Sequence, residues 1–349
     1  MHIPDGYLGP QTCLAAFGIM APVWAWASRK VRNTLRLRQV PLMALGAAFT
    51  FVVMMFNVPI PGGTTGHAVG AVLVSVLLGP WAAVVAVTVA LAVQALIFGD
   101  GGITVFAANC LNMAVIMPFA GWWTFRLIAA GSPASSQRRW VAAALGGYVG
   151  LNAGALSAAL MFGIQPALAH DAAGRALYCP FALDVALPAM VLEHLLVFGV
   201  VEALVTGLVV AYLSRSEPAL LEGGMPAAAP RGRMPLWKKL ALGLGILVLL
   251  APLGLVLPAK LGASEAWGEW GGERVRELAG YIPAGMRKVE ALWRAPMPDY
   301  APMGSEEATL PVLSFWYVLS GLLGAAMVTG LLIAARRLIT RREADGPAP

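Results

Sequence analysis

Nine apolar stretches dominate this chain, near residues 10–28, 40–59, 67–80, 81–98, 103–130, 140–163, 183–213, 237–257 and 312–335. Most approach the roughly 20 residues that a helix needs to cross a hydrocarbon core, where every backbone N–H and C=O must be satisfied within the segment. The third is short, and "LLGPW" (Leu77–Trp81) marks a turn between it and the fourth. At 349 residues the chain could hold two soluble domains, but 59% of it is apolar and only 12% is charged. The expected fold is therefore all-α, a polytopic helical membrane protein.

Charge supplies the expected topology. The net charge of +6 could suggest nucleic acid, yet the basic residues fall in short loops between apolar runs. Arg29, Lys30, Arg32, Arg36 and Arg38 follow the first run. Arg138 and Arg139 precede the sixth, and Arg215, Arg231, Arg233, Lys238 and Lys239 lie between the seventh and eighth. Arg336, Arg337, Arg341 and Arg342 follow the ninth, while the intervening short loops hold almost none. Cytoplasmic loops carry such an excess, so the amino terminus is expected outside and the carboxyl terminus inside. The composition shift over "SRSEPALLEGGMPAAAPRGRMP" reads as a cytoplasmic linker. It divides a seven-span module, 1–215, from a two-span module, 236–349, with the linker at 216–235. Between the last two spans, Pro258–Pro311 is expected outside, its Trp267, Trp270 and Trp293 near the membrane surface.

Smaller patterns refine this outline. In "GGYVGLNAG", Gly146, Gly150 and Gly154 share one helical face and let another helix approach closely. Cys13, Cys110 and Cys179 are far apart and form no CxxC pair, which argues against a disulfide framework or zinc ribbon.

The chain opens "MHIPDGYLGP", with no basic residue before its first apolar run. A secretory signal needs a positive n-region there, so "MHIPDG" is expected to survive in the mature protein. Only four histidines occur: His2, His67, His170 and His194. His67, in "PIPGGTTGHAVG", is expected on the same side as the amino terminus. The Met1 amine, the His2 amide and the His2 imidazole can close fused five- and six-membered chelate rings on one metal ion, and His67 can add a fourth nitrogen. Four nitrogens in a plane suit Ni(II) or Cu(II), whereas Mg(II) wants oxygens and structural zinc a tetrahedron. The plainer alternative makes His2 an ordinary exposed residue and His67 a helix cap, and the residues alone leave both open.

Gln94, Asp100, Asn109 and Asn112 cluster in "QALIFGDGGITVFAANCLNMAV". Polar groups at such a turn face a cavity or another helix. They can orient metal ligands or serve only as helix–helix contacts. His194 and Glu202, eight apart, sit about 80° around a helix and two turns along it, so they cannot chelate one ion together. They are expected to make interhelical or partner contacts.

These stretches, with "EHLLVFGVVEALVTGLVVAYL", together resemble the CbiM/NikM family, the substrate-binding components of energy-coupling factor transporters for cobalt and nickel. The resemblance covers roughly residues 1–215. "APMPDYAPMG" and the Gly-rich span after it resemble the small CbiN/NikN accessory subunit, departing from it in lacking the PDGLE stretch. The resemblance implies a fused protein whose metal site uses the terminal nitrogen of Met1, the amide and imidazole of His2, and His67. Thr65, Gln94, Asn109 and Asn112 stand as candidates to orient those ligands. It also implies no permanently bound cofactor, Ni(II) or Co(II) as transported substrate, a transmembrane coupling (T) protein and cytoplasmic ATPase (A) subunits as partners, and a bacterial cytoplasmic membrane. The chain carries no G-x-x-x-x-G-K-[ST] loop and no HExxH, which argues against ATP hydrolysis by that route and against a zinc metalloprotease. A self-sufficient channel or secondary transporter would need paired acidic residues along its spans, which are too few, and a passive scaffold leaves His2 and His67 without a purpose. A deprotonated amide among the ligands favours Ni(II) over Co(II).

Overall fold

The computed structural model describes residues 1–60, 63–224, 234–261, 266–289, 292–305 and 307–336. Arg231, Arg233, Arg337, Arg341 and Arg342, and with them the distal linker and the basic tail, lie outside the described residues. The chain is helical almost throughout. An irregular amino-terminal segment precedes α1 (Pro10–Thr34), which runs on through the basic residues after the first apolar stretch. Next come α2 (Val40–Met54) and a short hairpin, β1 (Val58–Pro59) with β2 (Thr65–Gly66), pairing Val58 with Gly66 and Pro59 with Thr65. Then follow α3 (Ala71–Leu78), α4 (Pro80–Val93), α5 (Phe106–Cys110), α6 (Met117–Ala129), α7 (Gln137–Gly163) and α8 (Gln165–Leu168). The remaining helices are α9 (Leu183–Glu193), α10 (Gly199–Ser216), α11 (Leu236–Leu250), α12 (Leu253–Leu261), α13 (Gly272–Ala279), α14 (Ala284–Val289) and α15 (Leu310–Ala334).

Five continuous helical segments among the described residues are long and apolar enough to cross a membrane: Pro80–Phe98, Gln137–Leu168, Leu183–Ser216, Leu236–Lys260 and Leu310–Ala334. Leu14, Leu127 and Leu196 are more than 70% exposed, as lipid-facing side chains should be. Two expected spans take a different form. The run 40–59 stops being helical after Met54, because Val58 and Pro59 enter the hairpin. The run 67–80 yields an eight-residue α3 preceded by non-helical chain, so the helix rises only about 12 Å.

Three helices widen by one residue per turn into π-turns, at Gln94–Phe98, Leu111–Ile116 and His194–Phe198. Each contains a buried polar side chain, Gln94, Asn112 or His194, and such turns gather at functional sites. The glycine stripe performs as the sequence implies. A Cβ at Gly146 or Gly150 would come within 2.6 Å of the backbone oxygen of Gly121 or Met117, so α7 lies flush against α6 only without side chains there. Cys13, Cys110 and Cys179 are free thiols.

Candidate metal centre

The first residues thread into the bundle instead of lying on it. Met1, His2 and Ile3 are 1%, 5% and 0% exposed. A buried extended segment must place its peptide groups on partners, and the contacts come from residues 102–104, Asn109 and Gln165. The Ile3 amide donates to Asn109 Oδ1 at 2.9 Å, and Asn109 Nδ2 donates back to the Ile3 carbonyl at 3.0 Å. Gly102 N also donates to that carbonyl, at 3.0 Å. The Asp5 carboxylate accepts from Ile103 N and Thr104 N at 2.9 and 2.8 Å, and from the Thr104 hydroxyl. Gly102 must be glycine for this approach, since a Cβ there would fall 2.4 Å from the Asp5 nitrogen. The Gly9 amide donates to Gln165 Oε1 at 2.8 Å.

That anchoring brings the amino terminus to the hairpin. The Met1 amine donates to the Thr65 carbonyl at 3.2 Å, and the His2 and His67 rings stack, 4.9 Å between centroids and 26° between planes. The Nε2 atoms of both rings are buried without a partner among the described residues. His67 Nδ1 donates to the Ala68 carbonyl at 3.1 Å, fixing the tautomer that leaves Nε2 as a lone-pair donor. His2 Nδ1 sits 3.0 Å from Asp100 Oδ1. Burial lowers the pKa of the amine, partly offset by Glu269, Asp100 and Glu193. Burial likewise pulls His67 well below the ordinary histidine range, assisted by the charges of the amino terminus and His2. Both shifts favour the unprotonated nitrogens that a metal requires. For Asp100, burial would raise the pKa, but His2 and the Tyr300 hydroxyl more than offset it and the carboxyl stays below its usual range. Among the described residues, no three His, Cys, Asp or Glu side chains come together to hold an ion. Main-chain nitrogen is available at the same place, from the Met1 amine and the His2 amide.

The loop carrying His67 is pinned at both ends by one helical segment. Glu193 Oε1 accepts from Thr64 N at 2.6 Å, and Glu202 Oε2 accepts from Val69 N and Gly70 N at 2.8 and 3.1 Å. Glu202 thus makes the contact between segments that its position suggests. The hydrogen bond of His194 stays on its own helix, Nδ1 donating to Met190 O at 2.6 Å, and its fully buried ring packs beside Phe198.

Of the four orienting candidates, Asn109 holds the ligand-bearing segment through Ile3. Thr65 receives the amine on its carbonyl and donates its hydroxyl to Glu269 Oε1. Gln94 reaches the site indirectly, through Tyr300. Asn112 is fully buried, its Nδ2 on the Met161 sulfur at 3.7 Å. No local pattern in the sequence marks Glu193, Glu269 and Tyr300 as belonging here. Glu269 and Tyr300 come from the far end of the chain, and with His2, Thr65, Asp100 and Asp299 they line a cavity of about 510 Å³. Trp267 also turns inward, 5% exposed against Phe162 and Phe181, with its amide on the Gly63 carbonyl. It is not a membrane-surface anchor, because the loop it occupies covers the hairpin. Trp293 stays 45% exposed.

The fold and the site define an integral membrane protein whose helices close around its own amino terminus. Residues 2–220 match the family model described as the cobalt uptake substrate-specific transmembrane region, CbiM, and the chain belongs to that family. It is 48% identical to the fused nickel transport protein NikMN of Rhodobacter capsulatus, over 98% of this chain and 99% of that one. It is 43% identical to the probable fused nickel transport protein LarMN of Lactiplantibacillus plantarum, over 95% and 96% of the two chains. Among solved structures, a truncated transition metal transporter aligns with a TM-score of 0.58 at 51% identity, covering 64% of this chain and all of that one. The relatives are metal transport proteins rather than enzymes, as the sequence resemblance implies.

Proposed function

We propose that this chain is the substrate-capture subunit of an energy-coupling factor importer for Ni(II). The observation that carries the reading is the buried amino terminus beside His67, with the His2 and His67 rings stacked and both Nε2 atoms unpartnered. Met1 supplies the terminal amine, His2 its amide and imidazole, and His67 the fourth nitrogen; Thr65, Asn109, Asn112 and Gln94 support them. His2 Nδ1 faces Asp100, so closing the six-membered chelate ring requires the imidazole to exchange that carboxylate for the ion. The His2 amide has no acceptor among the described residues, which leaves its nitrogen open to metallation. Planar all-nitrogen coordination favours Ni(II) over Co(II), and two fused relatives are named for nickel. Co(II) is the second reading, favoured by the description of the family itself.

The same reading keeps residues 1–215 as a seven-span module, 216–235 as a cytoplasmic linker and 236–349 as a two-span accessory module. It puts the amino terminus outside a bacterial cytoplasmic membrane and the carboxyl terminus inside, with separate coupling and ATPase subunits as partners. A reporter fused after Arg342 should read cytoplasmic and one near Gly304 outside; swapped signals overturn the arrangement. The test of function is uptake of radiolabelled Ni(II) by cells expressing the chain with and without a coupling protein and ATPases, with Co(II) as competitor. Uptake that requires the ATPases and resists equimolar Co(II) supports the reading. Equal uptake by the chain alone in ATP-depleted cells overturns it.

A further inference from the structure

The stretch "APMPDYAPMG" lies far from the metal-binding residues in sequence, yet the fold sends its tyrosine into the site. Tyr300 is 5% exposed and lies between Phe98 and Tyr317, with ring centroids 4.9 and 5.1 Å away. Its hydroxyl donates to Asp100 Oδ2 at 2.5 Å and accepts from Gln94 Nε2 at 3.1 Å. The other oxygen of that carboxylate is the one 3.0 Å from His2 Nδ1. A continuous chain, Gln94–Tyr300–Asp100–His2, therefore joins the carboxyl-terminal module to the second residue. The backbone beneath it is unusual: Asp299 and Tyr300, at φ 51° and 66°, are the non-glycine residues with positive φ among those described. Consecutive left-handed residues persist only where surrounding contacts over-determine them, and Ser320 Oγ, donating to the Tyr300 carbonyl at 2.6 Å, is one such contact.

A metal-ligating histidine commonly gives its other ring nitrogen to a carboxylate, which fixes the ring's orientation. Here the carboxylate instead faces Nδ1 itself, the nitrogen that the chelate ring uses, so it sets the orientation of the imidazole up to the moment an ion takes Nδ1. Asp100 can do this only if its own position is fixed, and Tyr300 holds its other oxygen. We propose that Tyr300 is a positioning residue of the metal centre, holding Asp100 so that the carboxylate orients the His2 imidazole, and that the carboxyl-terminal module thereby takes part in metal capture. This rests on the ligand set proposed above.

The test uses the full chain in detergent, titrated with Ni(II) by calorimetry, with the visible spectrum of the bound ion read in parallel. Tyr300→Phe keeps the ring and its packing and removes only the hydroxyl. It should weaken Ni(II) binding roughly tenfold while leaving the absorption band in place, since the ligand nitrogens are unchanged. Asp100→Ala should weaken binding at least as much, and the double variant should be no worse than Asp100→Ala alone. Ser320→Ala, which releases the Tyr300 carbonyl without touching the ring, should shift affinity in the same direction by less. Wild-type affinity in both Tyr300→Phe and Ser320→Ala overturns the proposal. So does an equal loss from Tyr300→Phe with and without Asp100, which would make Tyr300 a packing residue only. His2→Ala separates the two levels: if it still binds Ni(II) tightly, the ligand set itself is wrong and the proposal falls with it. If His2→Ala loses Ni(II) while Tyr300→Phe is silent, only the role of Tyr300 fails.

Discussion

His2 and His67 stack at 4.9 Å with both Nε2 atoms buried and unpartnered among the described residues, a pairing that sets two imidazoles side by side at the buried amino terminus. His2→Ala or His67→Ala should each reduce Ni(II) affinity by about 100-fold or more, at or beyond the upper end for residues that only orient ligands. His170, exposed at the His170–Ala176 bridge, should be nearly silent when changed to Ala. Equilibrium dialysis with metal analysis of the three variants checks this. Equal losses from His170→Ala and His2→Ala would point to a nonspecific effect.

The Met1 amine offers a sharper handle, because it can be removed as a donor without changing any side chain. One residue placed before Met1 turns the amine into an amide and moves the free terminus away from His2. Met1 is 1% exposed and its amine lies on the Thr65 carbonyl, so the enclosure has little room for the addition. The extended chain should bind Ni(II) far more weakly than the native one by calorimetry. Unchanged affinity would show that the amine is not a ligand.

Glu202 ties α10 to the start of α3 by accepting from Val69 N, Gly70 N and the Thr206 hydroxyl. Glu202→Ala strands two buried N–H groups, at about 1–3 kcal/mol each. It should lower the melting temperature of the detergent-solubilised protein by several degrees and weaken Ni(II) binding by loosening the loop that carries His67. Glu202→Gln keeps one acceptor oxygen and should lose less on both measures. A melting temperature unmoved by Glu202→Ala would remove this carboxylate from the account of the loop.

These contacts mark how far the sequence can be read. The five long apolar helices, the glycine stripe and the His2–His67 pairing were legible because each follows from a local pattern or from two residues sharing a side. Asn109 and Asp100 were legible as polar residues in an apolar setting, but not as partners of Ile3 and His2. The outcome of the run 67–80 was hidden, because hydropathy measures transfer from water and is blind to a backbone held extended by Glu193 and Glu202. Trp267 went inward for a similar reason. An amphipathic ring at a membrane boundary and one folded over a hairpin look alike until the covering loop is placed. Glu269 and Tyr300 carry no local signal at all, since their role exists only once the last hundred residues lie against the first.

Glu269 makes the cavity pH-sensitive in the metal-free protein. It accepts from the Thr65 hydroxyl, and burial raises its pKa above the ordinary carboxylate value, only partly offset by the amino terminus and Thr65. A carboxyl with a raised folded-state pKa binds its proton more tightly when folded. Its contribution is therefore most favourable below the unfolded value of about 4.5 and declines as pH rises towards the folded value, then levels off. Glu269→Gln should raise the melting temperature of the metal-free protein at pH ~8 and change it little at pH ~4.5. With Ni(II) bound the order should reverse, because the carboxylate then faces a cation. Scanning calorimetry of both proteins across pH, with and without Ni(II), checks each sign.

Residues 1–215 and 236–349 hold each other through backbone as well as side chains. Trp267 N donates to Gly63 O, Met297 N to Ile97 O and Gly285 N to Leu177 O, each at 2.8–2.9 Å. Tyr7 donates its hydroxyl to Trp270 O and Tyr317 donates its own to Met55 O, both at 2.8 Å. None of these bonds involves a linker residue, and among the described residues of the linker, 216–224 and 234–235, none lines the cavity at the site. Residues 1–215 and 236–349, expressed as separate chains, should therefore copurify and retain most Ni(II) binding and transport. Residues 1–215 alone should bind Ni(II) more weakly than the pair, because they lack Tyr300 on Asp100 and Glu269 on Thr65. Copurification on a tag carried by either piece, followed by Ni(II) titration, measures both expectations. Loss of all activity with both pieces at normal membrane levels would mean that the covalent link itself sets how the modules meet.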